Sequence, residues 1–145
     1  MKITNIGLLE MNAFLSQFED KKLPQKITFA IMKNLSLCAK EQQLYQEALK
    51  KILDKYNEYC EKDEEGNIKT EENGLPVIMD AYRANFYEEV NDLLMIENEI
   101  KPYYINREVF EYEDANNKYD VLTAKETFLL MSILCKPEEE EKEAE

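Results

Sequence analysis

Apolar and polar positions along this chain are dominated by one long stripe. Ile31, Leu35, Cys38, Gln42, Tyr45, Leu49, Ile52, Tyr56 and Tyr59 follow one another at alternating spacings of four and three. That pattern lines one face of a helix laid along another helix. Gln42 is its one polar member. The helix is expected to begin at Pro24, whose missing N–H is harmless in a first turn, and to run to about Cys60. At ~1.5 Å per residue it would be ~55 Å long. A rod of that length must fold against other segments, bend, or pair with another copy of the chain.

Shorter patterns flank the stripe. From Asn5 to Phe18, Leu8, Met11, Leu15 and Phe18 share a helical face that Leu9 and Phe14 widen. Glu19-Asp20-Lys21-Lys22 reads as a polar loop. After the stripe, Asn73-Gly74 is a hairpin signal, because both residues tolerate positive φ. Its strands would be Asn67–Thr70 and Leu75–Ile78. Asp80 is an N-cap candidate for a returning helix that buries Phe86, Val90, Leu93 and Leu94, with Tyr82 and Tyr87 at its margin. Between Met95 and Ile105 the period changes to two, with Ile96, Ile100 and Tyr104 alternating with charges, and Pro102 confines that strand to an edge. Asn106 is placed to cap a short turn holding Val109 and Phe110. Thr123 and Glu126 form a capping box for a last helix that ends before Pro137. No internal repeat is visible. The reading is mainly α with a small β component (α+β): a long helix, a β-hairpin, a returning helix and a short capped C-terminal helix. Residues 1–136 form one domain and 137–145 a disordered acidic tail.

Charge and composition narrow the function. The chain has 145 residues and a net charge of −13. Residues 138–145 alone hold six glutamates and one lysine, so the body is nearer −8. No basic stripe exists to release counterions from nucleic acid, and an acidic surface favours basic partners. No run approaches the ~18 apolar residues of a membrane span. The opening Met1–Asn5 leads into an amphipathic segment rather than a secretory core, so export is not expected. Cys38, Cys60 and Cys135 are odd in number and widely spaced. They read as small core hydrophobes in a reducing compartment rather than as zinc ligands.

Reaction chemistry is hard to find. The chain contains no histidine, the usual acid–base group and triad member. Ser16, Ser36 and Ser132 lie on predicted helices without a nucleophile elbow. Three glycines, Gly7, Gly66 and Gly74, cannot build a phosphate loop. The stretch Glu61–Glu72 imitates a calcium loop, with Glu61, Asp63 and Glu65 at alternate positions, Gly66 sixth and Glu72 twelfth. A long glutamate in first place, Lys69 in ninth and the Asn73–Pro76 break in the exiting helix make a solvated acidic hairpin the better reading. No metal or other cofactor is assigned. Of nine tyrosines, Tyr45, Tyr56 and Tyr59 belong to the stripe. Tyr103 and Tyr104, on the edge segment, are better candidates for contact with a partner. Arg83 and Arg107 are the two guanidinium groups, and a nucleotide phosphate would call on them.

The run Lys22-Leu23-Pro24-Gln25-Lys26-Ile27-Thr28-Phe29-Ala30-Ile31-Met32-Lys33-Asn34 resembles the opening of a family of small uncharacterised phage proteins. They occur in phages and prophages of low-GC Gram-positive bacteria. The turn Lys62-Asp63-Glu64-Glu65-Gly66-Asn67 and the capped segment from Leu122 are similar to it too, and the likeness extends to about Cys135. The resemblance implies a phage origin and action in the host cytoplasm. It carries no catalytic residues to transfer.

These features together lead to an expectation of a non-catalytic phage protein that binds a host protein, most sharply an inhibitor of a bacterial defence nuclease. Its acidic surface would occupy a basic groove meant for nucleic acid. The contact candidates are Asp63, Glu64, Glu65, Glu71 and Glu72, the run Glu97, Glu99, Glu108, Glu111 and Glu113, and Tyr103 and Tyr104. One alternative is a virion or assembly component pairing through the long helix. Another is a sponge for a small signalling nucleotide built on Arg83 or Arg107.

Overall fold

In the computed structural model, which describes residues 1–138, the stripe lies on a single helix and its continuation. Four α-helices are formed among the described residues: α1 (Asn5–Ser16), α2 (Gln25–Lys55), α3 (Asp80–Leu94) and α4 (Ala124–Leu134). α2 is shorter than its periodicity suggested. Tyr56 leaves helical geometry at φ −97°, ψ 4°, and a 3-10 turn over Asn57–Tyr59 carries the stripe to its end. Its 31 residues give ~46 Å of helix, not ~55 Å.

The stripe is covered within one chain, by two separate cores. Ile27, Ala30, Ile31, Leu35 and Cys38 pack with Leu8, Met11 and Leu15 of α1, Ile100, and Leu130 and Leu134 of α4. Leu49, Ile52 and Tyr56 pack with Phe86 and Val90 of α3, Cys60 and Ile78. Each fully buried Leu, Ile or Phe in these cores contributes roughly 1.5–3 kcal/mol. Gln42 is buried at the end of the first core, where its side-chain amide donates to the Leu8 carbonyl at 3.3 Å. Half-buried Tyr45 lies between the cores. Burial pushes its hydroxyl above the ordinary tyrosine value.

Two buried asparagines tie the loops to this frame. Asn5 donates from Nδ2 to the Leu93 carbonyl at 2.7 Å and accepts from Asn98 Nδ2 at 2.8 Å, joining the start of α1 to the end of α3. Beside it, β1 (Lys2–Thr4) pairs antiparallel with β2 (Glu97–Glu99). The period-two pattern from Met95 to Ile105 thus yields only three strand residues, and Pro102 lies beyond them. Asn34, fully buried on α2, donates from Nδ2 to the Ala30 carbonyl (2.8 Å) and the Tyr103 carbonyl (2.9 Å), and its Oδ1 accepts the Tyr103 N–H at 3.0 Å. A side chain thereby stands in for a paired strand and holds the extended 101–105 segment against the helix.

Between α2 and α3 the chain forms a three-way junction rather than a plain hairpin. The Glu61 N–H donates to the Val77 carbonyl (2.8 Å), the Lys69 N–H to that of Glu61 (2.9 Å), and the Val77 N–H to that of Lys69 (2.8 Å). These three residues, eight apart, satisfy all their backbone groups in one ring. Three antiparallel arms leave it through the bridges Lys62–Ile68, Thr70–Pro76 and Cys60–Ile78, the last leading to the helices. The two free arms are built alike. Asp63 N–H donates to Asn67 O and Gly66 N–H to Asp63 O; eight residues on, Glu71 N–H donates to Leu75 O and Gly74 N–H to Glu71 O. Gly66 and Gly74 take positive φ, 85° and 81°. Each tip is therefore a type I turn closed by a left-handed glycine. Asn73 does not have positive φ, so the two-residue turn its pairing with Gly74 suggested is not the one formed. The two arms, 62–69 and 70–77, thus repeat one hydrogen-bond pattern at a spacing of eight residues with little likeness in sequence.

Helix ends follow their caps, with one exchange. Thr4 caps α1 through the Gly7 N–H, and Thr123 and Glu126 make the reciprocal capping box of α4. Met79, not Asp80, is the N-cap of α3. Asp80 is its first residue, favourably placed for the helix dipole and 3.0 Å from Arg83. Asn106 precedes the 3-10 turn Arg107–Phe110 but makes no side-chain cap. The expected acidic tail lies outside the described residues from 139 on.

Candidate partner-binding surface

Five of the expected contact residues sit on the two free arms. Asp63, Glu64 and Glu65 form one tip and Glu71 and Glu72 begin the other, and all five are exposed. The turns fix their backbones. Asp63 Oδ1 accepts the N–H groups of Glu65 (3.0 Å) and Asn67 (2.9 Å), and Asn73 Oδ1 accepts that of Leu75 (3.0 Å). Such local side-chain bonds are the reason Asp and Asn suit tight turns. The arms stand on an aromatic base, where Tyr59 stacks on Tyr82 with centroids 3.8 Å apart, beside Tyr56 and Phe86. The result is a compact acidic projection on a firm apolar footing. With Asp63 engaged by its own turn, the calcium-like spacing of Glu61–Glu72 does not converge. Among the described residues no group of three or more potential ligand side chains is placed to hold a metal ion.

The other expected contact residues are not brought to this surface. Glu97 and Glu99 are exposed on β2, opposite Thr4 and Lys2. The arms precede the 15 residues of α3 and β2 follows them, a separation of roughly 20 Å along the helix. Glu108, Glu111 and Glu113 lie farther along, in and after the 3-10 turn Arg107–Phe110. Tyr103 and Tyr104, adjacent in an extended segment, diverge. Tyr103 meets Phe29 edge-to-face at 5.7 Å, whereas Tyr104 lines a separate cavity of about 260 Å³ with Met1, Met11 and Ser132.

Arg83 and Arg107 also serve different cores. Arg83 donates through Nε and Nη2 to the Ile78 carbonyl and pairs with Asp80. Arg107 donates to the Lys136 carbonyl at 3.3 Å, fastening its turn to the end of α4. The two guanidinium groups do not converge on one anion site.

Charged groups with shifted titration mark structural joints. Lys55 at the end of α2 bonds Glu89 on α3 at 2.8 Å. That bond first, and Tyr56 second, hold the Glu89 carboxyl below its ordinary value, while the Lys55 ammonium is raised. Glu126 is lowered mainly by its capping bond to the Thr123 backbone. Burial raises the thiols of Cys38 and Cys60, which disfavours the reactive thiolate. No helix among the described residues is long and apolar enough to cross a membrane.

Sequence reasoning missed the groove at the start of α2, where Gln25, Lys26, Phe29, Tyr103 and Ile105 line a cavity of about 360 Å³. The one available signal was Phe29, an aromatic off the buried stripe. No family model, curated protein or solved structure matches the chain.

Proposed function

We propose that the protein is a non-catalytic interaction protein whose paired acidic tips dock a basic surface of a partner protein. The observation that carries this reading is the ring of Glu61, Lys69 and Val77, which presents Asp63, Glu64, Glu65, Glu71 and Glu72 on two turns of the same build. Backbone order before binding lowers the entropy lost on association. Clustered carboxylates steer a cationic partner and raise its encounter rate. In the sharpest form, the partner is a bacterial defence nuclease whose nucleic-acid groove is blocked, and the protein acts for a phage in the host cytoplasm. The stripe that would serve an assembly component is already covered by α1, α3 and α4, so pairing through α2 has less to support it.

The test is capture of host protein by the wild-type chain and by a variant carrying Glu64→Lys, Glu65→Lys, Glu71→Lys and Glu72→Lys. The wild type should retain one bacterial protein, less of it as salt rises, and should displace nucleic acid from it. The variant should retain none while melting like the wild type. Equal capture by both chains, or capture indifferent to salt, would refute the reading.

A further inference from the structure

The groove at the start of α2 sets exposed aromatic rings beside lysines on an otherwise acidic chain. Phe29 and Tyr103 are 48% and 40% exposed and belong to neither core. Lys33 Nζ lies 5.5 Å from the centre of the Phe29 ring, a cation–π contact. A second cavity of about 420 Å³ continues from Gln25 and Lys26 toward Asn106 and Glu108. Together the two cavities make an open trough along the first turns of the helix.

No aspartate or glutamate lines the first cavity; its charged member is Lys26, Lys33 stands beside Phe29, and Lys101 is two residues before Tyr103. On a chain of net charge −13 this segregation is pronounced, and Glu108 enters only at the far end of the trough. The Asn34 clamp on the Tyr103 backbone fixes one wall against the other before anything binds. Exposed aromatics on a rigid element beside lysines form an anchor pocket with a cationic rim.

We propose that this groove receives an extended acidic peptide segment of a partner protein. One apolar or aromatic side chain of that segment would rest against Phe29 and Tyr103, with flanking carboxylates facing Lys26 and Lys33. Charge complementarity selects this occupant. A single nucleic-acid strand would need open ring faces for stacking, and Lys33 covers one face of Phe29 while Tyr103 meets the ring edge-to-face. This surface is independent of the acidic tips, which lie beyond the other end of α2.

Selection from a random dodecapeptide display library on the intact protein tests the assignment, followed by fluorescence anisotropy with the enriched peptides. Enriched peptides should carry several Asp or Glu around a Leu, Phe or Tyr. Their affinity should fall at least tenfold in Phe29→Ala and in the Lys26→Glu, Lys33→Glu double variant. It should weaken with salt and stay unchanged in the four-site tip variant. Both groove variants alter exposed side chains, and wild-type urea melts would verify their folding. Several results would overturn the proposal: no enrichment, neutral or basic winners, or affinity unmoved by the groove variants. So would a concentration-dependent dimer abolished by Phe29→Ala, which makes a second copy the occupant. A gain in peptide affinity on deleting residues 139–145 would assign the groove to the chain's own acidic end.

Discussion

Replacing Asn34 by leucine should damage the molecule more than an average substitution does. The two side chains have the same number of heavy atoms and the same branching at Cγ, so no cavity follows. What is lost is the pairing of the Tyr103 N–H and C=O, both held by the Asn34 amide at 2.9–3.0 Å, together with the bond to Ala30. An unpaired buried backbone group costs about 1–3 kcal/mol. Two such groups, less roughly 1 kcal/mol regained by burying apolar surface, leave a destabilisation of about 1–5 kcal/mol, toward the lower end because the Tyr103 backbone is part-buried. For a domain of this size that range corresponds to a fall in Tm of roughly 3–17 °C.

Urea unfolding followed by circular dichroism measures the global term, and amide exchange at Tyr103 measures the local one. Asn34→Asp separates the roles further. It keeps the acceptor for the Tyr103 N–H but turns a carboxylate toward two carbonyl oxygens, which favours the neutral acid and raises its folded pKa. Stability relative to wild type should then be worst at neutral pH and recover as pH falls through that raised pKa. A leucine variant within 0.5 kcal/mol of wild type, with Tyr103 exchange unchanged, would refute the idea that this amide replaces a strand pairing.

Other consequences are smaller and more local. Gly66→Ala and Gly74→Ala should each lose about 1 kcal/mol in urea melts. A Cβ at either site meets nothing within 4 Å, so the loss should be conformational and the two should add. Thr123→Ala should lose about 1 kcal/mol and speed amide exchange in the first turn of α4, with α3 unaffected. The lowered Glu89 carboxyl contributes stability that is present above its ordinary value of 4.5 and is lost as pH falls through its folded value. Glu89→Gln should therefore flatten the acid limb of the stability curve, and wild type and variant should converge in acid.

Periodicity and cap chemistry were sufficient to read all four helices, because each buries a continuous apolar face and two open on a hydroxyl cap. The stripe on α2 even announced that it would be covered. It could not announce two cores, since the break at Tyr45 leaves the spacing intact. The acidic projection was legible only as a turn-rich stretch. Its ring is made of backbone bonds among Glu61, Lys69 and Val77, three residues with no shared chemistry, and the repeated arms share little beyond Glu64/Glu72 and Gly66/Gly74. The sheet joins Lys2–Thr4 to Glu97–Glu99 across most of the chain, and three-residue strands leave no periodicity to detect. Asn34 lies off the nine-residue stripe and carries no pattern of its own in the sequence. Its purpose depends on a loop some seventy residues away.

Charge is arranged along α2 in a way that bears on how the molecule could work. Acidic turns crowd the end beyond Lys55, while the first sixteen residues of the helix, 25–40, contain three lysines and no carboxylate. From Lys40 to Lys55 is roughly 22 Å of helix, more than two Debye lengths at physiological salt, so the charges of one region act only weakly on the other. The two cores behave as separate footings for these ends, bridged by α2 itself and by the Asn5–Leu93 bond with its adjoining strand pair. Both exposed surfaces rest on backbone held by hydrogen bonds, the ring at one end and the Asn34 clamp at the other. With both proposed surfaces occupied, two partners would meet no common side chain and no common core. Tethering of that kind gains strength from effective concentration rather than from a tighter single interface.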